Sequence, residues 1–228
     1  IRNLLACEAQ YAYLLFMDCD SGLPDGRFLQ RYSGRLQPDT LLYGGRIYQP
    51  ERPADTRLAL HWHYGRRREA RPASERQQQP YHSFMTNNFV IPAAAFSPIQ
   101  FDGRLLQYGH EDTLFGMELQ RRSIPIVHLE NPLLHLGLED SGVFLRKTRQ
   151  AIENLAFLHH KSSGIDTRLL RTALRLHDTL AGAALRELGP FIRPVLRRQL
   201  QTAYPSLRLF DLYKLSCMLE ELYLRERP

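Results

Sequence analysis

"YAYLLFMDCDSGLPDG" occupies positions 11–26, and its reading decides the fold. An apolar and aromatic run, Tyr11 to Met17, ends in two acids, Asp18 and Asp20, with Cys19 between them and a Gly/Pro turn beyond. A run this short, bounded by turn signals, predicts a buried β-strand. An Asp-x-Asp at the carboxyl end of a parallel strand lies where open α/β sheets bind ligands. Alternation along the strand points both carboxylates one way and Cys19 the other. Two acids so placed can hold a hard divalent ion that bridges a nucleotide diphosphate, and the cation relieves their mutual repulsion. The same residues also suit an ordinary turn or helix cap.

Working outward, residues 2–10 predict a short helix and "DGRFLQRYS" starts a second. Residues 41–48, "LLYGGRIY", predict a strand with a glycine pair inside it, a sign of a bulge or a close backbone approach. Residues 49–80 change character: "YGRRREARPASERQQQP" at 64–80 is rich in Arg, Gln and Pro and nearly free of large apolar side chains, which predicts a long exposed loop. Order returns at 81–96. A turn then leads into an amphipathic helix through "EDTLFGMELQRRS", with Leu114, Phe115 and Leu119 on one side, and "IPIVHL" at 124–129 predicts a strand. The first 135 or so residues therefore alternate β and α, as in an α/β sheet. From about Asp140 the spacing is helical to the end, with Gly189–Pro190 and Pro205 expected to separate the last three helices. The expected division is a core over 1–139 and a helical extension over 140–228.

The 228 residues are 43% hydrophobic and 24% charged, enough for a sizeable core and too apolar for wholesale disorder. A net charge of +6 favours acidic partners without choosing among phosphates, lipids and nucleic acids. Cys7, Cys19 and Cys217 are widely spaced and odd in number, which argues against a disulfide framework and for a reducing, cytoplasmic setting. No apolar run approaches a membrane span, and the chain starts without Met or a signal-peptide core, as if cut from something longer.

Three further groups carry chemistry. Glu111 and Asp112 fall in the first turn of a helix, where acids complement the dipole and where a carboxylate can also serve as general base. His135 precedes a glycine on a short loop after a strand, and a neutral imidazole there can be a third ligand for an ion such as Mn²⁺; a structural role is the alternative. His128, inside the apolar strand, reads as structural. Arg66, Arg67, Arg68 and Arg71 can clamp phosphates or simply face solvent. The arginines at 168, 171, 175, 193, 197 and 198 form a basic helical face of a kind that can touch anionic lipid at a membrane periphery. No Walker loop, GxGxxG, zinc pattern or Gly-x-Ser-x-Gly elbow is present.

The order of these pieces carries a resemblance. "IRNLLACEAQYAYLLFMDCDS" resembles the arginine–asparagine helix and Asp-x-Asp strand of family 2 glycosyltransferases with the GT-A fold. "TNNFVIPAAAFSPIQFDGRLLQYGHEDTLFGMEL" is similar to their acceptor-side segment with its Glu-Asp pair, and "NPLLHLGLEDSGVFLRKTRQAIENL" to the tail of a bacterial branch. The match runs from Arg2 to about Leu155. It implies a Rossmann-like mixed sheet and inverting transfer of a sugar from a nucleotide-sugar donor, UDP-linked foremost, to a hydroxyl of a glycan or lipid-linked acceptor. It implies that Asp18 and Asp20 bind Mn²⁺ or Mg²⁺ and the diphosphate, that Asp112 is the base with Glu111 beside it, and that His135 adds a metal or diphosphate contact. Asn88 falls near the donor sugar, and Arg66 is carried as a donor contact. Family members have two or three βα units ahead of the Asp-x-Asp strand, whereas 17 residues precede Asp18 here. The expectation is an N-terminally truncated core with exposed sheet surface or burial of that surface in a homo-oligomer.

Two other classes compete. One is a degenerate, non-catalytic transferase domain that binds a partner or membrane. Against it stands the retention of Asp18, Asp20, Glu111 and Asp112 together. The other is a nucleic-acid-binding protein; the scattered arginines and the lack of a recognition motif lead us to expect no nucleic acid.

Overall fold

The computed structural model describes residues 1–101, 109–161 and 164–226. The turn expected around 102–108 lies outside them. The elements in chain order are α1 (Arg2–Glu8), β1 (Tyr13–Met17), β2 (Ser21–Gly22), α2 (Phe28–Ser33), β3 (Leu41–Tyr43), β4 (Arg46–Ile47), α3 (Ala59–Tyr64), α4 (Ala73–Arg76), β5 (Asn88–Pro92), α5 (Ala93–Phe96), α6 (Glu111–Arg121), β6 (Ile126–His128), β7 (Leu133–His135), α7 (Ser141–His160), α8 (Arg168–His177), α9 (Leu180–Leu200) and α10 (Leu207–Glu226). A 3₁₀ turn at Thr56–Leu58 and a π turn at Gly65–Glu69 flank α3. The chain divides into two compact units, the first over residues 1–51, 65–101 and 111–137, the second over 52–64, 109–110 and the described part of 138–226. The helical unit thus begins close to the expected boundary at 140, but it also recruits α3 from the segment before it.

The first unit is mixed α/β. One sheet has the order β1-β5-β3-β6, with β5 antiparallel to both neighbours and β3 parallel to β6. The other has the order β2-β7-β4, with β7 antiparallel to β2 and parallel to β4. Each strand of the smaller sheet continues a strand of the larger: β1 passes into β2 through residues 18–20, β3 into β4 through 44–45, and β6 into β7 through 129–132. These three short crossings form a seam.

Side-chain alternation builds a core on each face of the larger sheet. Leu41, Tyr43, Phe89 and Ile91 face one way and pack with Phe84, Phe96, Phe115 and Leu119, bringing α5 and α6 onto that face. Leu42 and Val90 face the other way and meet Phe28 and Tyr32 of α2. Aromatic stacking tightens the first core, with Phe16 and Phe89 centroids 4.6 Å apart and Phe101 and Phe115 4.7 Å apart.

Several expectations are corrected. β1 is the edge strand of its sheet, antiparallel to β5, rather than a buried parallel strand, and Leu15 and Met17 are each 38% exposed. The stretch expected as one strand at 41–48 is two strands in two sheets, because the glycine pair makes the crossing. Gly45 has φ +90°, and a Cβ on Gly44 would press onto Asn131 O, Tyr32 Oη and Asn88 Nδ2. Gly44→Ala is therefore expected to cost about 3 kcal/mol, read from a urea denaturation midpoint.

The stretch 49–80 is not a long open loop. It folds into α3, the two flanking turns and α4, burying Ala59, Leu60 and Arg76. Its large apolar residues, Leu58, Leu60, Trp62 and Tyr64, fall at spacings of two rather than at a helical period, and its anchor at Arg76 is a cation.

The second unit is helical. α10 packs against α7, α8 and α9 over a core that includes Leu145, Ile152, Leu155, Leu196, Phe210 and Met218, and α3 lies on α7. Arg149 of α7 binds Glu153 (2.8 Å) and Glu220 (2.8 Å), and Arg193 of α9 joins the same Glu220, tying three helices together. The expected break at Gly189–Pro190 does not occur. The chain breaks at Asp178–Thr179, where the Thr179 hydroxyl caps α9 by accepting from Gly182 N (3.1 Å). Gly189 instead lets α9 approach α10, since a Cβ there would sit 3.0 Å from Ser216 Oγ.

Candidate functional site

The seam collects the polar side chains. Asp18 opens the first crossing, held beside β5 by a hydrogen bond from its N–H to Asn87 O (3.0 Å). Its carboxylate is clamped between two guanidiniums: Arg2 Nη2 donates to Oδ1 (2.8 Å) and Arg46 Nη2 to Oδ2 (2.9 Å). Arg2 comes from α1, which is pinned because the Asn3 amide exchanges two hydrogen bonds with the Phe101 backbone (2.8 and 2.9 Å). Arg46 begins β4 directly after the glycine pair. Its side chain is 11% exposed, and its Nη1 reaches Glu69 Oε2 at 3.3 Å. Glu69 also accepts from the Tyr48 hydroxyl. Burial opposes the Arg46 charge, but Glu69, Tyr48 and Asp18 outweigh it and hold the guanidinium firmly protonated.

On the other side, Arg2 Nη1 donates to Thr86 Oγ1 (3.0 Å), and the Thr86 hydroxyl donates to Asp112 Oδ1 (2.5 Å). Asp112 lies in the first turn of α6. Burial foremost, and then the neighbouring Glu111 charge, push its carboxyl up to about 6. A continuous polar chain thus runs Asp112–Thr86–Arg2–Asp18–Arg46–Glu69–Tyr48, all within the first unit. A carboxylate with a pKa near 6 is ionised at neutral pH and still basic enough to take a hydroxyl proton.

Asp20 and Asp18 part company, since β1 ends at Met17 and the two acids follow the turn rather than a strand. Asp20 turns toward His135, with Oδ2 3.6 Å from Nδ1. Asp20 Oδ1 is buried with no hydrogen-bond partner among the described residues. His135 is buried as the last residue of β7, not on a loop, and its ring lies 5.2 Å from Tyr48. Burial first, then the Arg46 charge, lower its pKa, so the imidazole is neutral. An unpartnered carboxylate oxygen beside a neutral imidazole suits a divalent cation. Asp18 does not complete that pair, because both its oxygens are held by arginines, and among the described residues no three His, Cys, Asp or Glu side chains converge on one point.

Of the other residues expected at the site, Asn88 is fully buried and bolts the seam. Its Nδ2 donates to Gly45 O (2.9 Å) and Asn131 O (2.8 Å), and its Oδ1 accepts from the Tyr32 hydroxyl (2.7 Å). Arg66 sits on the π turn that supplies Glu69, with its guanidinium on the Pro50 carbonyl (2.5 Å). Five residues of the polar chain carried no assigned role from sequence: Arg2, Arg46, Glu69, Tyr48 and Thr86. Arg2 lay within the arginine–asparagine stretch, and Arg46 follows the glycine pair, so those two had a local signal. Glu69 and Thr86 had none.

No protein-family model and no curated protein sequence matches this chain.

Proposed function

We propose that the first unit carries an inverting glycosyl-transfer site for a nucleotide-sugar donor, UDP-linked foremost, and a saccharide hydroxyl acceptor. What supports the reading is one observation: the general-base candidate Asp112 and the acid of the first crossing, Asp18, belong to a single hydrogen-bonded chain through Thr86 and Arg2.

Asp112 removes the acceptor proton as the hydroxyl oxygen attacks the anomeric carbon. Thr86 holds Oδ1 by a hydrogen bond and leaves Oδ2 to take the proton. The bond to the acceptor oxygen forms as the bond to the diphosphate breaks, and attack from the opposite face inverts configuration. Glu111 orients a sugar hydroxyl. Arg2 and Arg46 offset the charge that gathers on the departing diphosphate. Asp20 and His135 are the residues that would hold Mn²⁺ or Mg²⁺, which when bound supplies Lewis-acid stabilisation of the same leaving group.

Isothermal titration calorimetry with UDP tests the site. Binding is expected to require Mn²⁺, and Asp20→Ala is expected to weaken it by about 10–100-fold. Failure to bind any nucleoside diphosphate, with or without metal, favours the non-catalytic module instead. Equal binding by Asp20→Ala removes Asp20 from the site.

A further inference from the structure

The net positive charge is not shared evenly. Residues 138–228 hold 15 of the 30 Lys and Arg and 10 of the 24 Asp and Glu, a surplus of five out of the total of six. In the same part of the chain one helix leaves an apolar face uncovered. α9 buries Gly182, Gly189, Leu196 and Leu200 on its inner side. On the opposite side Leu180, Ala184, Leu188, Phe191 and Val195 recur at spacings of three and four. Leu180 is 92% exposed, Leu188 55%, Phe191 76% and Val195 65%. At helical rise this stripe is about 22 Å long. Arg197 and Arg198 end it with positive charge, and Glu187 is the one acid on that face of α9.

Scattered exposed apolar residues need no explanation, but a continuous stripe with a phenylalanine in it does. No helix among the described residues is long and apolar enough to cross a membrane. A helix of this kind instead suits the interface plane, with its apolar side chains among the upper acyl segments and its arginines at the phosphates.

We propose that α9 is a lipid-surface docking element of the second unit, selective for anionic membranes. Leu180, Leu188, Phe191 and Val195 insert, while Arg197 and Arg198 engage headgroup phosphates. Charge decides the occupant. A second copy would set the same positive surplus against itself, whereas an anionic headgroup layer complements it. The helix is already formed and capped at Thr179, so docking needs no folding step. The proposal stands on the second unit alone and does not depend on the transferase reading.

Vesicle flotation of the full chain tests it. The protein is expected to float with phosphatidylcholine–phosphatidylglycerol vesicles, to stay down with phosphatidylcholine alone, and to release as salt is raised. The double variant Leu188→Ser/Phe191→Ser changes only exposed positions, so its circular dichroism is expected to match wild type while its vesicle partitioning falls at least about tenfold. Arg197→Gln/Arg198→Gln is expected to erase the preference for the anionic lipid. The proposal is overturned by absence of flotation, by equal flotation on neutral vesicles, or by an unimpaired serine variant. It is also overturned if sedimentation velocity reveals a dimer that the serine variant splits, which would make a second copy the occupant.

Discussion

Asp112→Asn is expected to lower the transfer rate by about 10²–10⁴-fold, leave metal-dependent UDP binding intact, and make the protein more stable at pH 7. The last effect follows from the site's electrostatics. Burial and Glu111 raise the Asp112 pKa from 3.8 to about 6, so the folded chain holds that proton more tightly than the unfolded one. A raised carboxyl of this kind destabilises the fold while ionised, above pH 6. The penalty is relieved as pH falls through 6 toward 4. Asparagine removes the charge at nearly the same volume. Because the carboxyl is only half-buried, the gain at pH 7 is about 1–2 kcal/mol, less than the full shift would give. Chemical denaturation at pH 7 and pH 5 checks the sign, with the advantage shrinking at the lower pH. With Asp112 as the base of the proposed transfer, kcat/KM of the wild-type protein is expected to rise tenfold per pH unit up to about pH 6 and then level off. Unchanged turnover in the variant would remove Asp112 from the chemistry.

Arg76→Leu is expected to cost about 3–5 kcal/mol, the largest stability loss of any single substitution considered. Arg76 is 3% exposed and is satisfied by carbonyls rather than by a carboxylate. Its Nη2 donates to Gly44 O (3.2 Å) and Leu129 O (2.9 Å), and its Nε to Arg71 O (2.9 Å). Its Nη1 lies 3.2 Å from His128 Nδ1, and the guanidinium covers the Tyr43 ring at 4.8 Å. Burial pushes His128 down to about 4, so the ring stays neutral, accepting from Arg76 at Nδ1 and donating to Pro80 O (3.0 Å) at Nε2. Leucine fills the volume and leaves these acceptors in a dry site without donors. Lysine restores the charge but offers one nitrogen where a planar fork spans several acceptors, so Arg76→Lys is expected to recover little. A loss under about 1 kcal/mol in either variant, measured in urea, would show that the loop holds without the fork.

The elements with strong local signals were legible. The short helix at Arg2, the β1 run, the helix from Glu111 and the strand at Ile126 all show in apolar spacing, and the last two bury the face that spacing marks, through Phe115 and Leu119 and through Ile126. What periodicity could not convey was connection. That β3 and β4 belong to different sheets depends on Gly44 meeting Asn131, 87 residues away. That residues 65–76 fold back onto the sheet depends on one buried guanidinium, a residue type that composition assigns to the surface. α9 was misjudged for a related reason: Gly189–Pro190 has the composition of a stop, but the helix is held by packing against α10. Within the candidate site, Asp18, Asp20, Asp112 and His135 were visible as residue types in order. Their grouping was not. The structure joins Asp18 to Asp112 through Arg2 and Thr86 and sends Asp20 to His135, whereas sequence alternation alone put the two aspartates side by side.

The seam has one more consequence. Because each strand of the small sheet runs on from a strand of the large one, shifting one sheet against the other would bend three short crossings at once. Asp18 and Asp20 lie on the first crossing and Arg46 directly follows the second, so slack cannot collect locally around them as it can at the tip of a loop. Motion at these positions is expected to come from side chains changing partners on a stiff frame. The double hold on Asp18, two guanidiniums sharing one carboxylate, is a place where such an exchange costs little backbone movement.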